Sequence, residues 1–296
     1  MTTRKGARRP MALPDGSLSW AQKTVEGLCA PRPLTAANVA PATFLQHQKG
    51  IVMSDSETRK DFATTDYGNA ERLVDSYSDR FRYCGGKWLV YDRTRWSEDR
   101  TNEITEAAKA TVRDFKQHAR SKQEDAWAWR SENAARLSAM VRLASSDPAL
   151  AIAPEQLDAQ PHLLNLQNGT YNLDTKELQK HAPNDQLTKR AGVMYDPTAQ
   201  CPRWNNLLNE VSEHDEALIG YVKRALGYSL LANTNEQCLF IAVGGGSNGK
   251  TTLLETIAGV LGDYAINSDS STLLTKAYDR EGYQHSDVPW LRDAPI

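Results

Sequence analysis

Nine consecutive residues carry the clearest chemistry in this chain: Gly244, Gly245, Gly246, Ser247, Asn248, Gly249, Lys250, Thr251 and Thr252. They contain the spacing Gly-x-x-x-x-Gly-Lys-Thr. Glycines at these positions let the backbone reach positive φ and approach an anion with no Cβ in the way. Successive N–H groups can then point inward and cradle phosphate oxygens, and a following helix adds its positive end. In such a loop Lys250 reaches the β/γ-phosphates and the Thr251 hydroxyl ligates Mg²⁺. The plainer alternative is a glycine-rich turn that binds nothing.

Flanking elements must position this loop. Cys238 to Val243 is an apolar run of strand length. Leu253, Leu254, Ile257, Ala258 and Leu261 recur at helical spacing, and Gly262 is placed to cap that helix. Strand, glycine-rich turn and helix are the context that turns a short match into a nucleotide-site expectation. A second strand ending in acids should follow, to hold the metal and orient water. None of the later acids follows four apolar residues, and Val288-Pro-Trp-Leu carries a Pro that disfavours a central strand.

Upstream, Ala70, Leu73, Val74 and Tyr77 mark a helix entered through Asp66–Asn69. Phe81–Cys84, Lys87–Tyr91 and Thr94–Trp96, separated by Gly85-Gly86 and Asp92-Arg93, read as an antiparallel meander. Trp88 and Trp96 could stack on bases beside Lys87, Arg93 and Arg95, although packing of the meander is the commoner use of such residues. A helix is expected over 103–120 with Ile104, Ala107, Ala108, Thr111, Val112 and Phe115 inward. A second is expected over 123–145, packing through Trp127, Ala134, Leu137, Met140, Val141 and Leu143. Asn168-Gly169 signals a hairpin. Pro202 starts a helix through Trp204, Leu207, Leu208 and Val211. Another runs from Glu216 to Leu231 with Leu218, Tyr221, Val222, Ala225, Leu226 and Leu230 apolar.

Composition narrows the partners. With 35 basic and 37 acidic residues, a formal charge of −2, no global electrostatic case for nucleic acid exists, so any contact must be local. Residues 1–50 differ, with seven basic residues against two acidic ones, and read as a disordered tail over 1–61 or a DNA-binding arm. Met53 is an alternative start. Cys29, Cys84, Cys201 and Cys238 are scattered, which argues against a zinc ribbon or a disulfide framework and for a reducing, cytoplasmic setting. No stretch approaches a membrane span.

Several short stretches, taken in order, resemble the phage and plasmid primase–helicase family, whose motor is a superfamily-three helicase. They are Thr65-Asp-Tyr-Gly-Asn-Ala-Glu-Arg72, Trp88-Leu-Val-Tyr-Asp92, Leu164-Asn-Leu-Gln-Asn-Gly169, Tyr195-Asp-Pro197 with Cys201-Pro202, and Leu226-Gly-Tyr228. Asn248 directly before Gly249-Lys250 and Leu261-Gly-Asp-Tyr264 complete the set. The resemblance implies an ATP-dependent replicative DNA helicase using ATP and Mg²⁺, acting as a hexameric homo-oligomeric ring on single-stranded DNA at a replication fork. It implies a primase partner and a phage or prophage origin in a bacterial cytoplasm, with no membrane. Lys250 would neutralise γ-phosphate charge in catalysis.

The expected class is α/β, an α+β accessory region followed by the start of a P-loop NTPase domain. Its parts are a meander and helical region over 62–160, a hairpin and helical region over 161–232, and an incomplete ATPase core over 233–296. The acidic strand, sensor and arginine finger are missing from this reading, which makes the chain look cut before the acidic strand. Two rivals stand beside it: a catalytically inert DNA- or partner-binding remnant, and another P-loop enzyme such as a small-molecule kinase.

Overall fold

The computed structural model describes residues 60–231, 235–246 and 248–268. Residues 1–59 of the tail expected over 1–61, and the segment after 268, lie outside the described residues. The chain divides into two compact units. One holds the described residues up to Gln160 together with Lys180–Arg190. The other holds Pro161–Gln179 and the described residues from Ala191 onward.

The first unit begins with helix α1, Asp66–Tyr77, capped by Thr65, whose hydroxyl accepts from the Gly68 N–H at 3.0 Å. The entry is thus one residue earlier than the expected capping stretch. Gly68 is obligatory for another reason: a Cβ there would collide with the Ala63 carbonyl. Asn69, 1% exposed, donates to Ser131 Oγ at 2.9 Å and accepts from Trp127 Nε1 at 3.2 Å. Arg72 is also buried; it donates to the carbonyls of Phe62 (2.7 Å) and Ala63 (3.0 Å) and lies 4.0 Å over the Phe115 ring. The Thr65–Arg72 stretch is therefore a packed, hydrogen-bonded device, which explains its residue types without any ligand.

Strands β1 (Phe81–Cys84), β2 (Lys87–Tyr91) and β3 (Trp96–Glu98) form the expected antiparallel meander in the order β1-β2-β3. Cys84 pairs with Lys87 across Gly85-Gly86, both at positive φ, as a two-residue hairpin turn demands. Helix α2 (Glu103–Gln117) buries all six expected stripe residues. The single helix expected over 123–145 is two, α3 (Lys122–Ser131) and α4 (Ala134–Ala144). Asn133 takes extended backbone between them, and its side chain accepts from the Arg136 N–H, so it caps α4. Of the expected packing positions Met140 is buried, whereas Ala134 and Leu143 face solvent. Leu73, Phe81, Val90, Ile104, Met140 and Leu150 form the core. Lys180–Arg190 runs along β3: Trp96 donates from its backbone N–H to Leu187 O (2.8 Å) and from Nε1 to Pro183 O (2.9 Å).

The second unit contains β4 (Leu163–Leu166), β5 (Gly169–Asn172) and β6 (Glu177–Gln179), again an antiparallel meander. Leu166 pairs with Gly169, so the turn is Gln167-Asn168, one residue earlier than the Asn-Gly signal suggested. Gly169 instead makes room for β6, since a Cβ there would strike the Gln179 carbonyl. Helices α5 (Pro202–Val211), α6 (Glu216–Ser229) and α7 (Lys250–Leu261) follow, with Pro202 at the first turn of α5 as expected. On α6 Ile219 is buried while Leu218 and Tyr221 are exposed, so the packed stripe is shifted from the expected one. Leu253 of α7 joins Leu208 and Ile219 in a small core, and Val260 packs beside Leu164 and Tyr171.

The expected strand over 238–243 does not form. The run carries no ladder among the described residues, and Leu239 (70%), Ile241 (73%) and Val243 (88%) are exposed. A strand of a parallel sheet needs partners on its edges and cover on both faces; among the described residues no strand pairs with this run, although the Phe240 ring stands edge-on to Tyr221 and Tyr228 of α6. Its apolar content is thus a local preference without the tertiary context that would realise it. The observed class is mixed, helices with two small antiparallel sheets. Of the cysteines among the described residues, Cys84 and Cys238 are free and Cys201 is disulfide-bonded, a bond that the scattered spacing did not lead one to expect. No described helix is long and apolar enough to cross a membrane.

Candidate nucleotide-binding loop

The loop and the head of α7 show how the predicted site residues are placed. Gly249 is the N-cap of α7, at φ 77°, a left-handed value that favours glycine. A Cβ on it would also lie 2.8 Å from Val211 Cγ2 on α5. Two independent constraints therefore fix this glycine. Gly244 has a different one: a Cβ there would run into the Asn248 and Lys250 side chains. Gly245 and Gly246 meet nothing within 4 Å and hold no positive φ, so neither needs to be glycine in this conformation. The expectation of positive φ holds at Gly249 alone of the four loop glycines. Ser247 lies outside the described residues.

Lys250 folds back over the loop. Its Nζ donates to the carbonyls of Gly244 (3.1 Å) and Gly245 (2.9 Å) and to Asn248 Oδ1 (2.5 Å). Asn248, Gly249 and Lys250 thus act as one closed turn, and Asn248 supplies the side-chain acceptor that orients the ammonium. Thr251 and Thr252 sit in the first turn of α7 and face solvent. The N–H groups of that turn have no carbonyl four residues back to receive them, as at any helix start. Chemically the arrangement offers backbone donors, one cation and two hydroxyls on a single short segment. Among the described residues no three His, Cys, Asp or Glu side chains cluster in a metal-holding group.

Packing, not motif, anchors the loop. Leu253 and Ile257 hold α7 against α5 and α6. At the other end of α7 the Gly192 N–H donates to Val260 O (3.0 Å), and the Tyr264 hydroxyl accepts from the Asn165 N–H (3.1 Å). Gly262 caps α7 at φ 57°, as expected. The contribution of Asn248 was visible only as a motif letter; its role as Lys250 acceptor needed the fold.

The two tryptophans of the first meander separate. Trp96 is 1% exposed, with the Arg82 guanidinium 4.8 Å from its ring, and has no face free for a base. Trp88 is half-buried, edge-to-face with Phe81 and 5.1 Å from the Tyr83 ring. Lys87 is paired with Glu98 at 3.2 Å.

Comparison with known proteins gives a family match that lies ahead of the loop. Residues 70–213 match the family described as D5 N terminal like. The matched region holds most of the first unit and, in the second, β4–β6 and α5; it ends before Gly244. The chain is also 29% identical over 128 residues to the putative primase C962R of African swine fever virus, in the Tick/Malawi isolate and equally in the Warthog/Namibia isolate. That match covers 41% of this chain and 13% of the viral protein. The chain thus spans about 13% of the length of the curated relatives it matches. Together the two matches support a primase–helicase family at the coarse level.

Proposed function

We propose that this chain is the N-terminal part of an ATP-dependent replicative DNA helicase of phage or plasmid type, and that it binds ATP·Mg²⁺ through Gly244–Thr252. The observation that carries the reading is the Lys250 ammonium, held over its own loop by Gly244, Gly245 and Asn248 at the start of α7. Phosphate oxygens are better acceptors for an ammonium than neutral carbonyls, because both partners are charged. A triphosphate would displace those loop contacts and take the same cation. The residues present fit the group: Gly249 holds a left-handed φ where a side chain would strike α5, and a Cβ at Gly244 would crowd the Asn248 and Lys250 side-chain ends inside the cradle. Thr251 would hold Mg²⁺ jointly with phosphate oxygens and water, the usual mode for this ion. ATP supplies the free energy of phosphoryl transfer; the chain's own part is to bind and orient it. Helicase action on a single strand, a hexameric ring and a primase partner belong to this proposal.

The test is calorimetric titration of the chain with Mg²⁺·ATP, repeated with Lys250→Ala. Loss of at least ~10-fold in affinity is expected, since a charge-assisted contact is removed. Equal affinity of the two proteins would refute the assignment.

One observation favours a second reading, a non-enzymatic DNA-binding module. The run 238–243 makes no sheet among the described residues, so the loop lacks the strand that would brace it. Salt-dependent binding of single strands with no nucleotide affinity would select that reading.

A further inference from the structure

A cleft of about 430 Å³ opens in the first unit between the β1–β2 face and helices α2 and α4. Its size lies in the range of small-ligand sites. Tyr83 and Trp88 form the aromatic wall, Leu137 of α4 adds apolar surface, and Ser138, Lys109 and Arg142 supply the polar groups. No carboxylate lines it. Lys109 is drawn to Glu106 at 2.6 Å. The Arg142 guanidinium makes no hydrogen bond or ion pair among the described residues, although it is exposed on α4 beside the cleft. The rings are fixed rather than loose: Trp88 stands edge-on to buried Phe81 and tilted against Tyr83.

We infer that this cleft takes one nucleotide unit of a single-stranded nucleic acid, its base against Trp88 and Tyr83 and its phosphate on Arg142 and Lys109. Base–aromatic stacking tolerates any base, because every base has a π-face. A held ring loses little freedom on binding, so the contact is pre-organised. An arginine with no acid opposite it makes a bidentate contact to phosphate without first breaking an ion pair. The chain as a whole carries a slight negative charge, so a strand would be drawn to a local patch and not to the general surface. This site lies in the region matched to the family described as D5 N terminal like and is separate from Gly244–Thr252. The assignment goes beyond the proposed function and does not depend on ATP binding.

The experiment uses the full chain and a fluorescein-labelled dT12, read by anisotropy in low salt. Arg142→Glu reverses charge at an exposed helix position, and circular dichroism checks that it folds. Binding should weaken at least tenfold in Arg142→Glu and in Lys109→Glu, while Lys250→Ala binds like the parent. An abasic strand of the same length should bind about tenfold less well, because one stacked base is lost at the cleft. A 5-iododeoxyuridine strand should photocrosslink to the peptide spanning Tyr83–Trp88. Unchanged affinity in Arg142→Glu, full binding of the abasic strand, or crosslinks confined to other peptides would each overturn the inference. Free dTMP binding as tightly as dT12 would overturn the strand assignment in favour of a mononucleotide site. Loss of strand binding in Lys250→Ala would place the contact at the loop instead. Failure of ATP binding alone leaves every one of these readouts intact.

Discussion

Gly249 and Val211 meet where α7 begins: a Cβ added to Gly249 would stand 2.8 Å from Val211 Cγ2. Because Gly249 also holds φ 77°, Gly249→Ala combines left-handed strain with a clash against α5. Such backbone strain costs about 1–3 kcal/mol. Gly245→Ala meets open space at negative φ and should fall within about 0.5 kcal/mol of the parent. Urea unfolding of the two variants compares them directly. Equal stability of both would show that α7 re-seats itself and that its cap is not fixed by α5.

Asn69 and Arg72 make a second, sharper prediction. Asn69 bridges Ser131 of α3 and the Trp127 indole, while Arg72 donates to Phe62 and Ala63 carbonyls beneath the Phe115 ring. Asn69→Leu leaves buried Ser131 and Trp127 without that partner, a cost of about 1–3 kcal/mol for each group left unmet. Arg72→Lys keeps the charge but loses the planar fork and its stacking, so it should also destabilise, by about 1–2 kcal/mol. Thermal unfolding followed in the tryptophan signal reads both. A silent Arg72→Lys would mean that charge alone suffices there.

These two residues also show what the sequence could and could not convey. The Thr65–Arg72 stretch stood out as a motif, but its letters serve capping, close approach and buried hydrogen bonds. Spacing cannot reveal that Asn69 finds Ser131 sixty-two residues on. Elements with strong local signals were legible: the meander turned by Gly85-Gly86, the α2 stripe, Pro202 at the start of α5 and Gly262 at the end of α7. Where neighbours decide, the reading departed from the fold. Cys238–Val243 has strand-like residues but no pairing strand among those described, and 123–145 breaks because Asn133 caps a new helix. The cleft beside Trp88 was legible only as one aromatic candidate; Arg142 joins it through the packing of α4 against α2 and β2.

Lys250 separates binding from stability. Its three acceptors all lie in the solvent-exposed loop. Removing such contacts exposes nothing buried, so Lys250→Ala should unfold within about 0.5 kcal/mol of the parent, even as nucleotide affinity falls. A large drop in the unfolding midpoint would identify Lys250 as a clamp that holds the loop for structural reasons.

Asp92 sets an acid limit on the first unit. Burial is the largest single influence on its carboxyl and pushes the pKa up. Hydrogen bonds from the Thr94 hydroxyl and from the Thr94 and Arg95 N–H groups, with the charge of Arg190, together outweigh it and hold the carboxyl below the usual carboxylate range. A carboxylate whose folded pKa is depressed stabilises the fold above its unfolded value of about 3.9, and that contribution disappears as pH falls through the folded pKa. The parent should therefore exceed Asp92→Asn in stability at pH 7 and pH 5. The gap should narrow steadily below about pH 4, where the parent loses the ionised acceptor that the variant never had. Comparing the two at each pH removes the titration of all other carboxylates, which both proteins share. Urea midpoints at pH 7, 5, 4 and 3 measure the gap. A constant difference across that range would show that the turn is held by geometry alone, with the charge on Asp92 making no contribution.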